Sequence, residues 1–287
     1  MNAFHKMLSA GGGTAPLGSW IMSASPLVAE AMGHAGFAWS VVDMEHSPLD
    51  FMGVVQVLQA LGGTPMLPVT RVPWNDMVTL KRVLDAGATT LLVPFVQNAE
   101  EAARAVAACR YPPEGMRGMA GMSRATQFGT VPNYFGTANA GISVIVQLET
   151  PPAVAALEAI AAVPGVDALF LGPADLSGAM GLVGQLTHPD VMAVMADAVR
   201  RAKAVGKPVG TVGGTPEVVR QYRAMGFDFV AIASDLGLLM HAATGAVAAL
   251  RESPAAGGSA SAPASASANA SASASASAPA AVSSSGY

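Results

Sequence analysis

The sequence predicts an α/β protein, a (β/α)8 TIM barrel. Three observations carry that reading. Eight short, near-continuous apolar runs recur between Leu17 and Ser234. Helix-length amphipathic segments separate them. No glycine-rich phosphate turn follows the first run, as one would in an open doubly wound sheet; the "GGGT" of Gly11–Thr14 precedes that run instead. Strands that stay apolar along their length belong in a sheet covered on both faces, hence a parallel one. Eight strand–helix units close such a sheet into a barrel.

The elements follow in order. "LGSWIM" leads into a helix over Pro26–Ala35, with Ser25 as its cap and Pro26 at a helix-compatible first position. "WSVVDM" precedes Phe51–Leu61, and "MLPVTRV" precedes Asp76–Ala86. "TLLVPFV" is followed by Ala99–Cys109, and "SVIVQLE" by Pro152–Ala162. "DALFLG" opens into "GPADLS", where a helix begins, and Pro189–Val205 follows. "PVGTVG" leads into Pro216–Met225, again through a Thr-Pro start, and "FVAIAS" into Leu236–Arg251. Gly36, Gly87, Gly206 and Gly226 fall where helices should stop.

Composition narrows the function. The 287 residues are 52% hydrophobic and 12% charged, enough for one large core, with a net charge of −4. No basic cluster exists, so nucleic acid is not an expected partner. Cys109 is the only cysteine, which excludes an intramolecular disulfide and a cysteine-based zinc site. Neither a secretory signal nor an apolar run long enough to cross a bilayer is present, so a soluble, cytoplasmic protein is expected. From Ser253 onward the chain is Ala/Ser-rich and uncharged. It cannot bury enough surface to offset the entropy of ordering. The expected organisation is a barrel domain over 1–252 and a disordered tail over 253–287.

Barrel enzymes do their chemistry at the C-terminal ends of the strands. There the apolar runs turn polar. Trp20 ends the first strand; Asp43, Glu45 and His46 follow the second; Arg71 ends the third. Gln147 and Glu149 end the fifth, and Asp175 lies just past the sixth. Gln147 and Glu149 are two apart and share a side of their strand. Glu149 and Asp175, on adjacent strands, would repel unless a cation lay between them. Oxygen ligands without cysteine suit Mg²⁺ or Mn²⁺. Alternatively, Asp175 simply caps its helix. An imidazole is the side chain suited to acid/base work near neutral pH, which His46 could supply unless it is structural. Asp85, at the end of the third helix, is the residue to orient it. Arg71 presents a planar fork to a substrate carboxylate, or forms an ordinary ion pair.

Taken together, "GSWIM", "VVDMEHSPLD", "TRVPWND", "VLDAGATTLLVPFVQNAEEA", "RYPPEGMRG", "VIVQLETPPAV" and "DALFLGPADLS" resemble the HpcH/HpaI class II aldolases, from about Leu17 to Leu250. This family includes 4-hydroxy-2-oxoheptanedioate and 2-dehydro-3-deoxyglucarate aldolases. The resemblance implies a barrel of the phosphoenolpyruvate/pyruvate superfamily. It implies reversible cleavage of a 4-hydroxy-2-oxo acid to pyruvate and an aldehyde, with Mg²⁺, Mn²⁺ or Co²⁺ as cofactor. By resemblance Glu149 and Asp175 hold the metal, and His46, backed by Asp85, moves the proton. Arg71 stabilises the enolate. Gln147, Gly172 and Ala174 bind pyruvate, and Trp20 and Asp43 border the substrate. A homohexamer built as a trimer of dimers is implied too, the last helix packing on a neighbour. The alternatives are a CoA-thioester lyase of the citramalyl or malyl type, which should carry extra basic residues, and a non-catalytic oxo-acid-binding barrel.

Overall fold

The computed structural model describes residues 2–251. Within them the chain runs through α1 (Ala3–Ala10), β1 (Leu17–Ile21), α2 (Pro26–His34), β2 (Trp39–Asp43), α3 (Phe51–Leu61), β3 (Leu67–Arg71), α4 (Met77–Asp85) and β4 (Thr90–Val93). It continues through α5 (Ala99–Cys109), α6 (Tyr134–Gly141), β5 (Ser143–Leu148), α7 (Pro151–Ala155), α8 (Leu157–Ala161), β6 (Ala168–Leu171) and α9 (Pro173–Ala179). Last come α10 (Pro189–Ala204), β7 (Val209–Gly213), α11 (Pro216–Met225), β8 (Phe229–Ser234) and α12 (Asp235–Arg251). The eight strands pair in parallel and in sequence order, and β1 closes on β8. The expected TIM barrel is therefore present. Among the described residues, those up to Gly245 belong to one compact unit and those from Ala246 to a second. The tail expected over 253–287, and its boundary at 252, lie outside the described residues.

Local chemistry explains the helix starts. Ser25, Asp50, Asp76, Asn98, Thr150 and Thr215 each accept a backbone N–H in the first turn of the helix they precede. Proline occupies the first turn of α2, α7, α9, α10 and α11. Gly226 ends α11 with φ of 101°, a left-handed turn that glycine adopts without penalty.

Strand parity divides the core in two. Outward-facing residues such as Val42, Leu91, Val146 and Leu171 pack under the helices. Inward-facing residues fill the barrel: Trp20, Trp39, Val41, Val69, Leu92, Ile145, Phe170 and Phe229. Inward residues recur every second position. The inward stack therefore climbs from Trp39 through Val41 to Asp43 on β2, and from Val69 to Arg71 on β3. On β5 it climbs from Ile145 through Gln147 to Glu149. The same parity that fills the barrel below delivers polar groups to its upper rim.

Three elements differ from expectation. Capped by Asn2, α1 places fully buried Phe4 edge-on to Phe229, 5.3 Å away, within the inward-facing cluster. The helix expected over Pro152–Ala162 is two short helices, parted at Ala156, whose ψ of 11° leaves the helical range. A further helix, α6, precedes β5. In α12 only Asp235 is buried, and Leu236, Leu239, Met240, Val247 and Leu250 are exposed. No helix among the described residues is long and apolar enough to cross a membrane.

Candidate active site

Asp43 and Arg71 are register partners at the last rung of β2 and β3. The Arg71 Nε donates to Asp43 Oδ1 at 2.8 Å, and Nη2 donates to Oδ2 at 2.7 Å. Asp43 is fully buried. Its Oδ1 also accepts the Glu45 N–H at 3.0 Å, which turns the chain sharply as it leaves β2. The Glu45 carboxylate lies 2.8 Å from Arg71 Nη1. Below the guanidinium is the Trp20 ring, its centroid 5.4 Å from Cζ. Burial opposes the Arg71 charge, but Asp43, Glu45 and Glu149 outweigh it and raise its pKa. The guanidinium is thus charged and fixed before any substrate arrives.

Across the mouth, Glu149 follows the end of β5 with 2% of its surface exposed. Its Oε2 accepts the Phe95 N–H at 3.1 Å, and its Oε1 accepts from Gln147 Nε2. Burial first, then repulsion from Asp175 and Glu45, push its carboxyl up to about 7, against the pull of Arg71 and the Phe95 N–H. Asp175 sits exposed in the first turn of α9. It does not cap that helix; Gly172 holds the cap position. Gly172 is glycine for want of room: a Cβ there would lie 2.6 Å from Glu149 Oε1.

A cavity of roughly 410 Å³ brings these groups together. Its lining includes Trp20, His46, Arg71, Gln147, Gly172, Ala174 and Asp175, with Met22, Leu186, Val212 and Ser234 around them. Most of the residues expected at the site are therefore at one mouth. His46 is at the rim, its side chain 60% exposed.

Two of the expected residues do not line this cavity. Asp85 does not reach His46 within this chain. As the last residue of α4, it has been carried back to the N-terminal end of the barrel, because every helix returns the chain to that end. There it accepts from Arg117 Nη2 at 2.6 Å. Asp43 is not open to substrate either; it faces Arg71 and is sealed from the cavity.

Phe95 went unnoticed in the sequence, and Asp235 and Gly172 do more than the sequence reading gave them. Phe95 has φ of 55°, a left-handed backbone rare for a bulky residue, and this aims its N–H at Glu149. Its ring stacks on Trp74, centroids 5.9 Å apart. Asp235 accepts the N–H groups of Met22 and Ser23 at 2.9 and 3.1 Å, tying the exit of β1 to the end of β8. Only Asp235 carries a sequence signal, a carboxylate directly after a strand. Gly172 was expected for its backbone, and its missing side chain matters as much.

Comparisons with known proteins agree with this geometry. The model for the HpcH/HpaI aldolase/citrate lyase family matches residues 17–242. A Pseudomonas putida 2-dehydro-3,6-dideoxy-6-sulfogluconate aldolase is 52% identical over 245 residues, covering 85% of this chain and 96% of that protein. A Salmonella arizonae 5-keto-4-deoxy-D-glucarate aldolase is 48% identical over 222 residues, covering 77% and 87%. A crystal structure of an HpcH/HpaI aldolase/citrate lyase family protein from Burkholderia cenocepacia superposes with a TM-score of 0.84 at 40% identity, covering 88% of this chain and all of that one. A match over nearly the whole barrel, to relatives named as aldolases, makes this chain a member of the HpcH/HpaI aldolase/citrate lyase family and a carbon–carbon lyase of the aldolase type.

Proposed function

We propose that the barrel cleaves a 4-hydroxy-2-oxo acid, of the 4-hydroxy-2-oxoheptanedioate or 2-keto-3-deoxy sugar acid type, reversibly into pyruvate and an aldehyde. The carrying observation is that Arg71, His46, Gln147 and Asp175 line one cavity, with the buried Glu149 carboxylate against Gly172 and near enough to Asp175 to be repelled by it. None of the four lysines, Lys6, Lys81, Lys203 and Lys207, lines it. A Schiff-base route therefore has no nucleophile there.

The residues present fit a divalent cation held by Glu149 and Asp175. Glu149 is raised first by burial and then by two neighbouring carboxylates, Asp175 and Glu45, a crowding that a cation relieves. Gln147 Oε1 is buried without a partner. The donors are all oxygen, which suits Mg²⁺, Mn²⁺ or Co²⁺. Among the described residues no group of three or more His, Cys, Asp or Glu side chains is gathered, so such a cation would have these two carboxylates and open positions for substrate and water. The bound cation supplies Lewis-acid stabilisation of negative charge on the 2-oxo group.

The chain's own residues then do the following. Asp43 takes two of the five Arg71 donors, so others remain for the carbonyl oxygen of the 2-oxo acid. The N–H groups of Ala174 and Asp175, in the first turn of α9, face the substrate carboxylate with Gln147 beside them. His46 removes the proton of the C4 hydroxyl as the C3–C4 bond breaks, and the bonding pair becomes the pyruvate enolate. Trp20 supports the Arg71 fork from below. A role for Asp85 at His46 is open only to a second copy of the chain. The proposed homohexamer, a trimer of dimers, would bring one near, and the exposed apolar residues of α12 support such a contact. The CoA-thioester lyase reading lacks support: the cavity offers Arg71 and no basic cluster for CoA phosphates.

The test is a retro-aldol screen over 4-hydroxy-2-oxo acids with pyruvate release as readout. Release from at least one of them is expected, and none from the whole panel would overturn the reading.

A further inference from the structure

Within one chain the carboxylate beside His46 is that of Glu45, while Asp85 accepts from Arg117. We infer that Glu45 is the positioning residue that couples His46 to Arg71, an inference that rests on the aldolase reading above. One oxygen, Glu45 Oε2, stands between them: 2.8 Å from Arg71 Nη1 and 3.9 Å from His46 Nε2. The Glu45 side chain is 15% exposed, whereas that of His46 is 60% exposed. A held carboxylate therefore faces a freer imidazole.

Glu45 itself is held at both ends. Its backbone N–H is fixed on Asp43 Oδ1 at 3.0 Å. Its contact with Arg71 is an ion pair without hydrogen-bond alignment, since Oε2 is buried with no hydrogen-bond partner. Arg71 does not depend on it, because Asp43 already grips the guanidinium by two bonds. The unused lone pairs of Oε2 are free to take the Nε2–H of a protonated His46 after a small rotation of the exposed ring. The charged groups facing Glu45 are Arg71, His46, Asp43 and Asp175, and burial is the largest influence raising its pKa. Glu45 therefore stabilises the imidazolium that forms when His46 accepts a proton, and the fixed guanidinium sets where that carboxylate stands.

The experiment compares wild type, Glu45→Gln and Glu45→Asp by two readouts. The first is kcat and KM for retro-aldol cleavage across pH. Glu45→Gln should lower kcat on the order of 10-fold or more with KM changed little, and Glu45→Asp should recover part of the loss. The second is the NMR titration of the His46 imidazole, assigned with His46→Asn, which reads out even if no substrate is found. Removing the Glu45 charge should lower the His46 midpoint. An unchanged His46 midpoint in Glu45→Gln overturns the inference, whatever the activity. So does a loss carried wholly by KM, which would place Glu45 at Arg71 alone. An inactive wild type with a shifted His46 midpoint would sink the aldolase reading and leave the Glu45–His46 coupling standing.

Discussion

Asp43 and Arg71 meet at the top rung of β2 and β3 in a buried two-bond fork, 2.8 and 2.7 Å long. Removing Asp43 takes two hydrogen bonds from a buried guanidinium and leaves it the ion pair with Glu45. Asp43→Ala should therefore cost up to about 3–5 kcal/mol in urea unfolding. Arg71→Lys keeps the charge but loses the planar fork, and should reduce kcat/KM on the order of 10²-fold or more. Wild-type kcat/KM in Arg71→Lys would remove the guanidinium from the account.

His46 tests proton transfer separately from binding. His46→Asn should retain pyruvate binding, read by calorimetry, and lose kcat by roughly 10²–10⁴-fold. Full turnover in this variant would transfer the acid/base role elsewhere.

Gly172 tests the packing behind Glu149. An added Cβ would lie 2.6 Å from Glu149 Oε1 and 3.0 Å from Gln147 Nε2, so both side chains must move. Gly172→Ala should fold and yet lose on the order of 10²-fold in activity, the usual effect of displacing a reactive geometry by about 1 Å. Thermal unfolding and steady-state kinetics on the same sample decide it.

Assembly is tested by length. The exposed apolar residues of α12, Leu236, Leu239 and Met240 among them, call for a covering surface. Light scattering should report a hexamer, unchanged by deletion after Pro254. Truncation near Leu236 should give insoluble or inactive protein. A fully active monomer would refute the assembly.

Much of this was legible because strand parity is a local property. Val41 and Asp43, or Ile145, Gln147 and Glu149, share a face by period two, so the residues that leave the apolar pattern could be placed at one rim. Asp85 lies outside that local rule: α4 runs back toward the entry of β4, so its last residue can serve His46 only from a second copy of the chain. Asp43 looked like a substrate contact because charge at a strand end marks a site. Only its register against Arg71 shows which of them faces the cavity. The left-handed backbone of Phe95 had no sequence signal, since it is imposed by the groups around it. In α1, Phe4 enters the barrel interior, and that is a tertiary contact no periodicity over eight residues announces.

The central claim is that pyruvate forms by metal-assisted enolate chemistry at Glu149 and Asp175, with no lysine adduct. The most direct measurement is pyruvate release from a 4-hydroxy-2-oxo acid before chelation, after chelation, and after adding back Mg²⁺, Mn²⁺ or Co²⁺, with borohydride present in a parallel sample. The account predicts loss on chelation, recovery with the cation, no recovery in Glu149→Gln, and no borohydride-trapped adduct. Undiminished release from the chelated protein, or a reduced pyruvyl-lysine in its mass spectrum, would contradict it.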